Sequence, residues 1–200
     1  MSFVQPVQLS KHGVLLEPLT HEHLYGLTAA CQDGELWKIR VTSTPKADEV
    51  KQYINTACNQ GLLGHRFAFA VIEKDTGQVI GTTSYHDILA DVKRVEIGYT
   101  WYAQSVQRTH VNTTCKLLLL EHAFETLNCN TVAFRTDIFN FKSQRAIERL
   151  GAKKDGIIRG NAFRKDNTIR DTVMYSISSS EWPDIKAHIT DLLSRHGLNA

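Results

Sequence analysis

The chain predicts an α+β fold: a single domain built on a mixed, mostly antiparallel central sheet flanked by helices. Three observations carry that prediction. Hydrophobic periodicity changes in the order strand, helix, helix, three strands, helix, strand, helix and a closing pair of strands. A hairpin signal, Asp75-Thr-Gly77, joins two β-like runs. A long helical run then separates two strands, which makes one crossover and therefore one parallel pair.

Val14 to Leu19 reads as a strand, and Thr20 caps a helix over about 21–31 with Leu24, Leu27 and Cys31 at helical spacing. After the loop Thr42-Ser-Thr-Pro-Lys46, a second helix over about 47–62 carries Val50, Ile54, Ala57 and Cys58 as its stripe, and Gly61 and Gly64 punctuate its end. Residues 67–74 and 78–85 form the hairpin strands. In the next strand, 95–101, strict alternation would put Val95, Ile97, Tyr99 and Trp101 on one face and Glu96, Gly98 and Thr100 on the other. The helix over about 112–127 is apolar round most of its girth, hence buried against a sheet. Strand 131–137, helix 141–150, strands 156–159 and 168–177, and an amphipathic helix over about 181–195 complete the chain. No repeat or low-complexity linker divides it.

Two hundred residues allow a sizeable core, and 42% hydrophobic with 22% charged residues is ordinary globular composition. A net charge of +2 with scattered Lys and Arg gives no basic stripe for nucleic acid. No apolar run approaches a membrane span, and Met1-Ser-Phe-Val-Gln-Pro shows no secretory pattern. Cys31, Cys58, Cys115 and Cys129 lack paired or zinc-like spacing, so they read as reduced thiols of a cytoplasmic protein. His21-Glu22-His23 lacks the spacing of a zinc helix and reads as a solvated first turn; no metal is expected.

The most informative stretch is Asn140-Phe-Lys-Ser143 through Leu150-Gly151. A strand ends, an Asn stands at the break, and a short helix follows with Ala146, Ile147 and Leu150 on one face. Asn140 as N-cap and Gly151 as C-terminal glycine account for this without any chemistry. Together with Val95-Glu-Ile-Gly-Tyr-Thr-Trp101 and Gln107-Arg-Thr-His-Val-Asn112, however, the stretch resembles the GNAT superfamily of acyl-CoA-dependent N-acyltransferases, with the RimJ/RimL-like branch nearest. The resemblance runs from about residue 12 to 182 and includes the order of elements.

The resemblance implies acetyl-CoA as co-substrate, an amine acceptor as second partner, and leaves a homodimer open. Its pyrophosphate loop would be Gln107, Arg108, Thr109, His110, Val111, Asn112 and Thr113, where orphan helix amides and a partial positive charge meet phosphate. His110 stands where the family has a first Gly and Asn112 where it has a second small residue. A Cβ at 110 narrows backbone approach and penalises positive φ, although the residue keeps its own N–H and a ring N–H as donors. Lys116 reads as a solvated lysine, with phosphate contact as the alternative. Backbone N–H groups from Thr100 and Trp101 to Ala103 would polarise the thioester carbonyl, and Asn140 would bond the pantetheine arm. The family's thiolate acid, a Tyr seven residues after the Asn, is Ile147 here. Ser143 then offers a hydroxyl for the thiolate, or completes a capping box with Asn140. Glu96 is the candidate base, acting directly or through water, or a salt-bridged carboxylate. The implied reaction is direct acetyl transfer to a primary amine, possible acceptors being a protein N-terminus or a small amine (a polyamine, amino acid or aminoglycoside). A non-catalytic acyl-CoA-binding module is the reading from another class. Residues 32–46 and 156–168 are expected to frame the acceptor.

Overall fold

The computed structural model describes residues 3–198. In chain order the elements are β1 (Leu9–Lys11), β2 (Val14–Pro18), α1 (Leu24–Gln32), α2 (Val50–Leu62), β3 (Arg66–Glu73), β4 (Gln78–Leu89), β5 (Arg94–Tyr102), α3 (Val111–Glu121), β6 (Thr131–Asp137), α4 (Phe141–Arg149), β7 (Lys153–Phe163), β8 (Ile169–Ser178) and α5 (Trp182–Ser194). The strands make one sheet in the order β1-β2-β3-β4-β5-β6-β8-β7. Every neighbouring pair is antiparallel except β5 and β6, whose connection runs through α3.

Several features differ from expectation, β4 among them, which runs on to Leu89. β1 was not foreseen: three residues are too few to show a period, and its turn places His12 and Gly13 at φ 49° and 74°. β7 extends well beyond 156–159 because it is an edge strand, exposed along most of its length, so hydrophobic alternation does not mark it. His23 is buried rather than solvated: its Nδ1 accepts the Thr20 N–H at 3.0 Å, and its Nε2 lies 2.6 Å from Glu17 Oε1.

Alternation along the strands divides the core in two. Val71, Ile80, Tyr85, Val95, Ile97 and Phe134 face α3, α4 and α5, meeting Leu117, Leu119, Leu120, Ile147 and Ile189. On the other face Ala70, Ile72 and Trp101 meet Leu27, Val50 and Ile54 of α1 and α2. Both faces exclude water, which supplies most of the driving force for folding.

β5 breaks its own alternation. Thr82 pairs with Trp101 and Ser84 with Gly98, so Thr83 alone opposes Tyr99 and Thr100. This is a β-bulge, with Tyr99 in the left-handed region at φ 50°. The expected face assignment therefore fails beyond Gly98. Thr100 joins the α3 face, where its Oγ1 lies 2.8 Å from Thr83 Oγ1, and Trp101 joins the α2 face, edge-on to Tyr53.

The bulge gives α3 an unusual neighbour. Lys116 is neither solvated nor turned to the helix N-terminus; only 6% exposed, it donates to Thr100 Oγ1 at 2.9 Å. Among the described residues no carboxylate pairs with it. Burial lowers its pKa from the usual lysine range to about 8, against a small opposing effect of Cys115. Between about pH 8 and 10.5 the unfolded chain holds a proton that the native chain has released, so this group makes stability rise with pH. Lys116→Met should accordingly be more stable than wild type at pH 7, with the gap narrowing towards pH 10. Urea unfolding of both proteins across that range measures it. A gap independent of pH would show that the charge is not buried.

Candidate active site

β5 and β6 pair only over Arg94–Glu96 and Thr131–Ala133. Beyond Glu96 the strands separate, while β6 stays paired to β8 along its whole length. The gap is therefore made by β5, which bends away at its bulge. The Ala103 N–H bonds Ile80 O of β4 at 2.9 Å. Since successive residues of a strand point their amides to opposite edges, Tyr102 and Thr100 present theirs to the gap. Ala103 is thus excluded from the expected donors. The Trp101 side chain also points away, into the α1–α2 core.

The chain leaving β5 builds the mouth of this cleft. Arg108, exposed, takes the left-handed conformation at φ 65°, whereas His110 has an ordinary helical φ of −67°. The conformational difficulty expected at His110 therefore falls on Arg108, earlier in the same loop. The His110 ring, considered as a phosphate donor, lies 3.1 Å from His12 O in the β1–β2 turn. Thr109 Oγ1 accepts the Val111 N–H at 3.3 Å, and α3 forms its first bond from Thr114 N–H to His110 O at 2.9 Å. The amides of Asn112 and Thr113 precede that bond and have no intrahelical partner, the arrangement by which a helix N-terminus can accept an anion. Two side chains near it are engaged within the protein: Val111 is in the core, and Thr113 Oγ1 accepts from Arg149 Nη2 at 3.0 Å.

α4 forms the opposite wall. Asn140 caps it, its Oδ1 accepting the Ser143 N–H at 3.1 Å while its Nδ2 donates to Val41 O at 3.3 Å. The Asn140 N–H goes to Asp137 O, so Ser143 completes no capping box, and its half-buried hydroxyl makes no hydrogen bond to the described residues. Lys142, in the first turn, donates to Gln107 Oε1 at 2.5 Å, while Gln107 Nε2 holds Tyr102 O at 3.0 Å. This clasp joins the two walls. Lys142 was missed because a lysine beside an N-cap has no sequence pattern of its own.

Glu96 is fully buried on the other face of the sheet. Arg135 chelates it, Nε to Oε1 at 2.5 Å and Nη2 to Oε2 at 2.7 Å, and His86 Nε2 stands 3.4 Å from Oε1. Burial pushes the Glu96 carboxyl up and Arg135 pulls it part of the way back. Direct contact with an acceptor amine, one of the two routes expected for Glu96, is closed by this packing. His86 falls to about 3, chiefly by burial and then by Arg135, so it is a neutral imidazole near pH 7. A Cβ on Gly98 would lie 2.3 Å from His86 Nε2, which is why this strand position has no side chain.

Residues 32–46 and the end of the β7–β8 hairpin meet beside this site. Arg40 Nε reaches Asp166 Oδ2 at 2.5 Å, and Lys165 Nζ bonds Thr44 O. Arg164 and Asp137 form a buried pair at 2.6 Å beneath them. Among the described residues no group of three or more His, Cys, Asp or Glu side chains is disposed to hold a metal.

Comparison with known proteins agrees with this architecture. The family profile described as "Acetyltransferase (GNAT) domain" matches residues 14–153. "Putative ribosomal N-acetyltransferase YdaF" of Bacillus subtilis is 31% identical over 106 residues, covering 53% of this chain and 57% of that protein. A GCN5-related N-acetyltransferase from Brucella melitensis superposes with a TM-score of 0.85 at 26% identity, over 95% of this chain and 86% of that one. RimJ of Mycobacterium smegmatis, solved with CoA-disulfide, shares the fold with a TM-score of 0.78 at 15% identity over 95% and 96% of the two chains. With a matching profile over most of its length and a sheet that parts at the position described, the chain belongs to the GNAT acetyltransferase family.

Proposed function

We propose that the protein moves an acetyl group from acetyl-CoA to a primary amine by direct attack in a ternary complex. The observation that carries this is the parting of β5 from β6 beside an α3 end with unpaired amides. The residues present fit the co-substrate: Asn112 and Thr113 N–H groups for the pyrophosphate, the exposed Arg108 cation beside them, and Lys142 across the mouth. When bound, acetyl-CoA supplies an activated acyl group on a good leaving group.

The chain's own contribution is electrostatic and positional. Thr100 and Tyr102 N–H groups face the gap and meet negative charge developing on the carbonyl oxygen. Ser143 brings an uncommitted hydroxyl to the sulfur, in place of the tyrosine that Ile147 replaces. Asn140 keeps one acceptor and one donor occupied in the fold, so its hold on a pantetheine arm would require a second bond at Oδ1 or exchange of the Val41 contact. Glu96 acts on the amine's proton through His86 or a water. The acceptor is a primary amine; a protein N-terminus accords with the name of the YdaF relative, and small amines are the alternative. The chain matches little more than half of that relative's length, so its acceptor is not carried over with the fold.

Acetyl-CoA at a hundredfold excess over its dissociation constant should stabilise the native protein by about 2.7 kcal/mol. A melting scan with millimolar acetyl-CoA measures this, and an unshifted transition would defeat the reading. Ser143→Ala should leave stability within about 0.5 kcal/mol, since the hydroxyl bonds nothing in the fold, yet lower turnover about 10²-fold with CoA affinity little changed. Thiol release against an amine and peptide panel, corrected for the four native cysteines, supplies the rate. Wild-type turnover in the variant would remove Ser143 from the chemistry.

A further inference from the structure

On the α2 face, between Tyr99 of β5 and Arg135 of β6, the sheet floors an open cavity of about 360 Å³. It lies across the sheet from α3 and α4, at the level where β5 bulges and has parted from β6. His86, Arg66, Asp87 and Gln60 also line it.

Arg66 is the unusual group. It is 3% exposed, and its guanidinium is fixed by Nε to Ser84 Oγ at 2.9 Å and Nη2 to Tyr53 OH at 2.7 Å. Its Cζ sits 3.9 Å from the Tyr99 ring centroid and 5.0 Å from that of Tyr53. Yet no carboxylate among the described residues pairs with it, and Nη1 makes no hydrogen bond to them. The neighbouring cations are spoken for: Arg135 holds Glu96 and Asp87, and Arg94 reaches Asp87 at 3.2 Å. His86 is neutral through burial and adds no charge. The two acids are thus matched by Arg94 and Arg135, and Arg66 remains as an uncompensated buried cation facing the cavity. Rings and hydroxyls hold such a cation in place but leave its charge unmatched.

We propose that this cavity is the acceptor subsite and that Arg66 binds a carboxylate carried by the acceptor, which is therefore an amine bearing an acid group rather than a polyamine or other polycation. The assignment rests on the acetyl-transfer reading above for the word acceptor, but the carboxylate site stands on its own geometry. The same positive field disfavours an ammonium beside it, so the amine of a bound zwitterion loses its proton more readily and becomes a nucleophile. Recruitment and activation would then come from one fixed cation.

A matched pair of acetylated product analogues tests this: N-acetylalanine, which keeps the carboxylate, and N-acetylalanine amide, which lacks the charge. Binding of each is measured by titration calorimetry to wild type, Arg66→Lys and Arg66→Gln, with and without saturating CoA. Wild type should prefer the carboxylate by about 10-fold to 100-fold, the range of a charge-assisted hydrogen bond. The preference should shrink in Arg66→Lys, which keeps the charge without the fork, and fall to within about 2-fold in Arg66→Gln. Equal binding of the two analogues by wild type, or a preference that survives in Arg66→Gln, would overturn the proposal. Melting curves verify that each variant is folded, and Arg66→Lys carries the test if Arg66→Gln is not. A carboxylate preference in a protein that ignores CoA would keep the Arg66 site and discard acetyl transfer. Binding of CoA without any carboxylate preference would do the reverse.

Discussion

The single extra residue in β5 is the constraint on which the site depends. A β strand shows alternate faces and alternate edges with period two, so one inserted residue reverses everything after it. Tyr99 absorbs the insertion at φ 50°, an uncommon conformation for a bulky residue that surrounding contacts must hold. Those contacts are present: Arg66 stacks on the Tyr99 ring, and Tyr53 OH reaches Tyr99 O at 3.5 Å. The same bend draws β5 away from β6. One local irregularity thus opens the gap, aims the Thr100 and Tyr102 amides into it, brings Thr100 over Lys116 and sends Trp101 to the opposite core.

That dependence explains which features were legible in the sequence. The order of elements and the crossover followed from periodicity, because most strands have one regular face packed on helices. The Asn140 cap and the start of α4 were legible for the same local reason. The bulge was not. Glu-Ile-Gly-Tyr-Thr-Trp alternates well enough on paper that strict period two misplaces Thr100 and Trp101. Lys116 was misread in turn, since a lysine on a helix is ordinarily solvated and only the displaced Thr100 hydroxyl shows where it goes. Arg66 was not singled out at all: as the first residue of a strand it looks like a solvent-facing end, and its partners Tyr53, Ser84 and Tyr99 come from three other elements. Long-range convergence of that kind leaves no spacing to read.

Charge in this protein is arranged by sheet face. On the α2 side Glu96, Asp87, Arg94 and Arg135 form a connected cluster in which every acid touches an arginine. Such a network offsets the desolvation of its members only if each is satisfied, and this one leaves the adjacent His86 uncharged. On the α3 side Lys116 donates to the Thr100 hydroxyl and, among the described residues, pairs with no acid. Two cations without acids, Arg66 and Lys116, therefore flank the same bulge from opposite faces. Developing negative charge in the gap between the strands would be stabilised from both.

The clasp between Gln107 and Lys142 has a kinetic meaning. It ties the loop after β5 to the first turn of α4, so the cleft is shut at its mouth by two long, rotatable side chains rather than by a rigid segment. Opening the clasp itself requires only rotamer changes, which exposed side chains complete in picoseconds to nanoseconds. It also gives Lys142 an acceptor, so the cation is held in place at the threshold by the glutamine amide.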